Sequence, residues 1–525
     1  RVVRKNLAGQ EDLLFGEGQV AQTRAGGAYN ITKNRVIYPV NSIEELNALD
    51  PDKFPKARLY QATKNVLDYV YNPVNETDEK VPAATVDVNQ ATLQAALDYT
   101  EWNPDGGEVV RVLERTAGHG GGALWLLVPL DEVTPNGYDV VQCSGVDTLA
   151  LTLLVSQDIT DRQFGCYPSK ADSSSEFHAF LQFCWSKNTR GFLSSASLNF
   201  ADGVLFQGGG SAAAVTGSLI LDGKCNILLG ANATRTGLTI QYVDYVAVQN
   251  IRVDGNKENQ TTAIDGVNFF WIDTLVTQNI RGDNCYRHGV YLFKVKTLAW
   301  TGGGGSDNGG VDALGVASNG LFASPVGTGF IKLAKCHNNN PSMMQPGEND
   351  GNGIHLGQSG SDDAFWTAAT DSRQLSVGVQ DCVGNGRRGV KIQRSDVVLC
   401  KGYCSNNNSA NVLVTEAQDL DNIKIFGNKL GSSSDLTSNT VKIGSATGGG
   451  AVKNVHLFGN TFAGDPTAQG VDIDLYSENV HVHDNIEDWN SGLVDQRYVV
   501  RSGATNINIT TDASVNNLAG SGLKL

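Results

Sequence analysis

Between Ile264 and Trp489 one short phrase returns eight times: a small, polar or charged residue, then usually Gly or Asn, then a β-branched residue or Leu. It reads Asp265-Gly266-Val267, His288-Gly289-Val290, Asn319-Gly320-Leu321, Asn352-Gly353-Ile354, Arg388-Gly389-Val390, Ala410-Asn411-Val412, Asn439-Thr440-Val441 and Gln469-Gly470-Val471. Successive copies are 23, 31, 33, 36, 22, 29 and 30 residues apart. A short minimum with variable excess is the mark of a coiled parallel sheet, in which each coil needs a few strands and tight turns and insertions appear only at the turns. The phrase therefore predicts a mainly β solenoid, a single-stranded parallel β-helix.

A second phrase keeps the same period. Each copy is followed by another apolar segment with a polar ending, at Leu275 to Ile280, Ile331 to Lys335, Leu375 to Gln380, Val397 to Lys401, Ile423 to Phe426, Val455 to Phe458 and Val480 to His483. Soon after come Cys285, Cys336, Cys382 and Cys404, then Asn428, Asn460 and Asn485. Equivalent residues of stacked coils lie about 4.8 Å apart. That spacing suits a column of small thiols inside, or of Asn amides bonded up and down the stack. Long helices are excluded over this half, because Gly and Asn are too frequent.

The 60 Gly and 2 Met suit a turn-rich β chain. A net charge of −15 argues against a nucleic-acid partner, which needs a basic surface. No apolar run reaches membrane-spanning length, and Arg1-Val2-Val3-Arg4-Lys5-Asn6 does not open a secretory signal. The nine Cys are odd in number and contain no CxxC pair, so buried reduced thiols are expected rather than a disulfide framework or zinc ribbon. His481 and His483 alternate on a strand with no third ligand in view, so no metal is expected there, and no cofactor is called for.

The first half is organised differently. Short mixed α/β domains are expected before the solenoid, with a helical face of Leu93, Ala96 and Leu97. Extended segments at Val109 to Leu113 and Trp125 to Val128 flank the Gly118-His119-Gly120-Gly121-Gly122 turn. Ser173 to Glu176 carries a capping-box pattern. Phe177, Phe180, Leu181, Cys184 and Trp185 follow at helical spacing, as in a helix that covers the solenoid's first coil.

Gln163-Phe164-Gly165-Cys166, Asp172, Ser173 and that helix resemble the lead-in to the pectate-lyase-like right-handed parallel β-helix of tailed-phage tailspikes. The Gly118 to Trp125 segment resembles the Gly-rich turn and aromatic strand upstream in such proteins, and Gly26 to Val40 looks like a particle-attachment region. Cys166 departs from the usual Ala. The resemblance implies an attachment region over 1–70, a small mixed domain over 71–165, the capped β-helix over 166–500 and an extension over 501–525. It further implies a homotrimer on a virion, joined to the phage tail or another tail protein through its N-terminal region. Such a protein binds, and usually degrades, a bacterial surface polysaccharide.

The residues can be asked separately. Coil steps of 31, 33 and 36 residues project insertions over 301–318, 338–351 and 357–372, and successive insertions on one side of a solenoid make a groove for a linear polymer. They hold Asp307, Asp312, Glu348, Asp350, Asp362, Asp363 and Asp371, with Trp300 and Trp366 nearby for sugar stacking. Glycosidic hydrolysis needs two carboxyl groups, one protonated and one ionised. Glu348, Asp350, Asp312 and Asp363 are the leading candidates, although Asp in Gly/Asn-rich turns often only bonds the backbone.

A second cluster fits β-elimination on an acidic polysaccharide: Asp283, Arg287, His288, His355 and Arg388 could supply a base and neutralising cations. Local ion pairs would account for the same residues. A non-catalytic receptor-binding fibre and a secreted cellular enzyme stay open, the latter because sequons begin at Asn30, Asn75, Asn232, Asn259, Asn407 and Asn508.

Overall fold

The repeated phrase opens the first strand of each coil. In the computed structural model Leu238, Val267, Val290, Leu321, Ile354, Val390, Val412, Val441 and Val471 pair in parallel register, one directly above the next. The unequal sequence steps thus collapse onto one straight column. Period-two alternation turns that column inward, and all nine side chains are buried. The structure describes residues 2–5, 11–15, 20–22, 28–30, 86–154, 159–212, 214–309, 318–339, 351–357, 374–415, 419–431, 439–444, 450–464, 469–489, 498–511 and 514–518. The chain divides into two units, Arg1–Ser156 and Gln157–Leu525.

The second unit is a parallel β-helix with three faces. Face one runs from Val204–Gln207 through the first halves of Leu238–Gln249, Val267–Gln278 and Val290–Thr301. It continues through Ser318–Ala323, Gly351–Leu356, Arg388–Ile392 and Ala410–Val414 to Tyr498–Val500. Face two takes the second halves of the three long strands, then Val326–Lys335, Leu375–Val383, Val397–Cys400 and on to Thr505–Thr511. Face three carries short strands such as Ile251–Asp254, Arg281–Asp283 and Gly304–Ser306. All these pairings are parallel until the last, where Ser514–Leu518 returns antiparallel on Thr505–Thr511.

Corners are where the sequence is most constrained. At the corner between faces three and one, backbones of one coil nearly touch: a Cβ on Gly282 would lie 1.8 Å from the Gly289 carbonyl oxygen. Other corners use Asn in the left-handed region, where its short amide tolerates positive φ. Asn250 and Asn279, both at φ 54°, are joined by an amide hydrogen bond of 3.0 Å. Inside, two Asn ladders form. The expected one links Asn428 to Asn460 at 2.9 Å and Asn460 to Asn485 at 3.0 Å. A second links Asn308, Asn339, Asn385, Asn407 and Asn411, each amide donating to the next side-chain oxygen at 2.8 Å.

All nine cysteines are free thiols, and all but the half-buried Cys400 are buried. Burial pushes the Cys285 thiol well above its ordinary range. Hydrogen bonding to Cys404, then burial, does the same for Cys382. The thiols behave as core residues.

The helix Ser174–Ser186 covers the first coil with Phe177, Phe180, Leu181, Phe183 and Cys184 buried. Its start differs from the expected capping box. Asp172 accepts from the Ser174 N–H at 2.9 Å, Ser173 is buried with its N–H donating to Asn199, and Glu176 pairs with Lys170 at 2.7 Å. Asp is as good an N-cap acceptor as Ser, so the aspartate one residue earlier takes the role.

In the first unit a five-stranded sheet is described. Val109–Thr116 and Gly120–Pro129 form its antiparallel hairpin, and a short helix, Leu93–Leu97, buries the three apolar residues expected of it. Among the described residues no helix is long and apolar enough to cross a membrane, and no group of three metal-ligating side chains gathers.

Candidate functional site

If Val267, Val290, Leu321 and Ile354 point inward, the residue after each must point outward. That outward column on face one reads Asn268, Tyr291, Phe322, His355 and Lys391. A second outward column beside it contains Phe270 and Phe293. The result is an aromatic wall on the outer surface of the β-helix. Tyr291 and Phe322 lie 4.9 Å apart at 34°, Phe322 and His355 4.8 Å apart, and Phe270 packs edge-on to Tyr291 at 5.0 Å. Tyr291, Phe322, Phe270 and Phe293 are all half-buried, so each keeps part of its surface in solvent.

A polar ladder edges this wall. Asp265, His288, Asn319 and Asn352 each sit two residues before the inward apolar residue of their coil. Asp265 Oδ1 accepts the His288 N–H at 3.0 Å, His288 Nδ1 accepts the Asn319 N–H at 3.2 Å, and Asn319 Oδ1 accepts the Asn352 side-chain amide at 2.8 Å. Accepting at Nδ1 places the ring proton of neutral His288 on Nε2. Arg287 clasps the fully buried Asp265 through Nε and Nη2, which donate to its two oxygens at 2.8 and 2.5 Å. Burial alone would raise the Asp265 pKa, but the Arg287 hydrogen bond, the neighbouring cations and the His288 N–H together lower it. His355 Nε2 donates to Gln393 Oε1 at 2.7 Å. The wall can stack the apolar faces of rings, while the ladder, whose four side chains are buried, holds the coils at its edge in register.

The insertions border the same face. Chain leaves face three after Gly304–Ser306 and rejoins face one at Ser318; it does so again between Lys335 and Gly351. The third insertion leaves face one after Leu356 and enters face two at Leu375. Two insertions therefore start from one edge of face one and the third from its opposite edge.

The sequence-predicted residues scatter accordingly. Glu348, Asp350, Asp312, Asp363 and Trp366 lie outside the described residues, as do Asp362 and Asp371. Asp307 sits at a corner with φ 58° and accepts the Asn338 side-chain amide at 3.2 Å. Trp300, expected to stack on sugars, is enclosed in the core: it is in the inward column of face two, and its Nε1 donates to the Gly302 carbonyl at 2.9 Å. Asp283 is separated from the histidines. It belongs to face three, 3% exposed, between Arg252 at 2.8 Å and Arg281 at 2.9 Å. His288 and His355 both pack on Phe322, Arg287 lies 5.9 Å over the neighbouring Tyr291 ring, and Arg388 opens the following strand. Asp381 pairs with His337 at 2.8 Å. His481 and His483 are half-buried outer strand positions, His481 stacked on His456 and His483 on Phe458. Sequence reading overlooked Tyr291, Phe322, Phe270 and Phe293. The signal was present, since fixing the inward residue also fixes its outward neighbours.

No protein family matches the sequence, and no curated protein matches it. Among solved structures the chain is similar to the A-module of a mannuronan C-5 epimerase from Azotobacter vinelandii, at 14% identity over 67% of this chain and 100% of that one, with a TM-score of 0.42. It is similar to the tailspike protein of Acinetobacter phage vB_ApiP_P1, at 11% identity over 78% and 72%, with a TM-score of 0.44. The surface adhesin PfbA of Streptococcus pneumoniae is similar at 10% identity over 69% and 99%, with a TM-score of 0.45. These are likenesses of winding, and the fold assigned above stands on this chain's own strand register.

Proposed function

We propose that the chain is a phage tailspike that binds and depolymerises a bacterial surface polysaccharide, using the outer surface of face one. The observation that carries this reading is the aromatic wall of Phe270, Tyr291, Phe293 and Phe322 with its polar ladder Asp265, His288, Asn319 and Asn352. Half-exposed aromatic rings repeated at coil spacing are costly to leave in water unless something covers them. A linear glycan presents apolar ring faces at regular intervals, which the wall can stack, on coils whose register the buried ladder fixes. In this reading the spikes are homotrimeric, sit on the virion and attach through the N-terminal region, as the sequence resemblance implies.

Cleavage is read as glycosidic hydrolysis by two carboxylates. Two sets of carboxylates are candidates: Glu348, Asp350, Asp312 and Asp363 of the insertions, from the sequence, and the pair at the corner treated in the next subsection. A lyase reading draws on one observation, the gathering of His288 and His355 on Phe322 with Lys391 next in the outward column. Purified capsular and O-antigen polysaccharides decide between them. New reducing ends without ultraviolet absorbance of an unsaturated sugar are expected, and absorbance would establish a lyase. On the polymer that is cleaved, Tyr291→Ala and Phe322→Ala are each expected to weaken binding about tenfold, roughly 1.4 kcal/mol. Wild-type affinity in both variants would remove the wall from the reading.

A further inference from the structure

We propose that Asp244 and Asp273 are the general acid and the nucleophile of a retaining glycoside-hydrolase centre at the corner between faces one and two; this rests on the polysaccharide reading above. The register Val243–Ile272–Val295 stacks Asp244, Asp273 and Lys296 on three successive coils. Neighbours in such a column are about 4.8 Å apart. A separation of about 5–5.5 Å lets one carboxylate attack an anomeric carbon while the other protonates the departing oxygen.

The two acids differ in surroundings. Lys296 Nζ lies 2.5 Å from Asp273 Oδ1 and pairs with that carboxylate. Asp244 stands one coil further from the ammonium. Burial first, then the charge of Asp273, raises its affinity for a proton, against smaller opposing effects of the Gly217 N–H and Lys296. Two neighbouring carboxyl groups in unlike surroundings can divide the roles of acid and nucleophile.

Acids alone would be a solvated cluster, but this column lies between two ligand-shaped surfaces. On one side the aromatic wall reaches the corner: Tyr242 and Trp271 lie 5.0 Å apart and Trp271 and Phe293 5.2 Å apart. The Trp271 Nε1 is enclosed and has no hydrogen-bond partner among the described residues. On the other side, three residues further along each strand, face two holds a groove of about 290 Å³. Val276, Ala299 and Phe330 line its middle and Gln249, Gln278 and Thr301 one rim. A glycan crossing from wall to groove passes over the two carboxylates.

The chemistry balances with water as the second reactant. Asp273 forms a bond to the anomeric carbon as the glycosidic C–O bond breaks, and the Asp244 proton goes to the leaving oxygen. Water then donates its proton to Asp244 and its hydroxyl to the anomeric carbon, releasing Asp273.

The test uses the full chain and a polysaccharide that the wild type cleaves. Asp244→Asn and Asp273→Asn are each expected to lower kcat about a thousandfold while the affinity for the polymer stays within about threefold. Azide added to Asp273→Gly should restore cleavage and give a glycosyl azide of inverted anomeric configuration. Azide added to Asp244→Gly should give the retained one. If Asp244→Asn does not fold, as judged by its thermal transition, Asp244→Glu carries the same kcat measurement. Cleavage within tenfold of wild type in the Asn variants, or cleavage with an unsaturated product, overturns the proposal and leaves polysaccharide processing standing. A wild type that neither binds nor cleaves any polysaccharide overturns both.

Discussion

Asp265 shows how much one residue can be asked to do. It is fully buried, yet it accepts from Arg287 and from the His288 backbone, and so fixes the first rung of the polar ladder. Its pKa is depressed in the folded state, so it contributes stability that is present above the ordinary carboxyl value and lost as pH falls through the folded value. The unfolding temperature of the wild type is therefore expected to drop on acidification below about pH 4, with a smaller drop in Asp265→Asn. That variant should already be less stable at neutral pH, because it leaves a guanidinium without its counter-charge. Equal acid dependence in the two proteins would show that Asp265 does not carry the effect. The residue was legible in the sequence only as the first member of a repeated phrase. Its pairing with Arg287 spans neighbouring coils, 22 residues apart in sequence, and no local pattern reports that.

At the scale of the strand, period-two alternation is a strong signal for the inward column, because a one-residue slip would expose every apolar side chain at once. The insertions were equally legible as excess length, and their acids were visible as composition. What could not be read was which face each residue belongs to after the corner. Trp300 shows the failure: it stands next to an insertion in sequence, but it lies on face two and points inward. The proposed pair Asp244 and Asp273 has the complementary difficulty, since both lie in the middle of long strands and carry no mark of an insertion. Corners also set the tolerance of each coil. Gly282→Ala would put a methyl group against the Gly289 carbonyl, an atom of backbone that cannot turn aside. Its cost is expected to exceed about 3 kcal/mol, measurable as the shift in a urea unfolding midpoint. A shift of less than about 1 kcal/mol would mean that the two coils separate easily.

At the scale of the whole molecule the β-helix is nearly one-dimensional, since each coil touches mainly the coil before and the coil after. Its ends then matter more than its middle. The helix Ser174–Ser186 covers one end, with Phe177 against Phe200 at 5.3 Å and Phe180 against Phe164 at 5.8 Å. Phe180→Ala is expected to cost about 3–5 kcal/mol. Because the edge beneath the helix is an unpaired parallel strand, the variant should also scatter light increasingly with concentration. Unchanged scattering together with the loss of stability would show that the edge stays protected by other means.

The corner insertions have one more consequence. The inward column keeps its register whether a coil takes 22 residues or 36, so the length and composition of an insertion are invisible to the core. Scaffold and recognition surface are in effect inherited separately. A lineage bearing this chain could exchange the segments bordering face one, and with them whatever that face meets, while the inward column behind them kept its register.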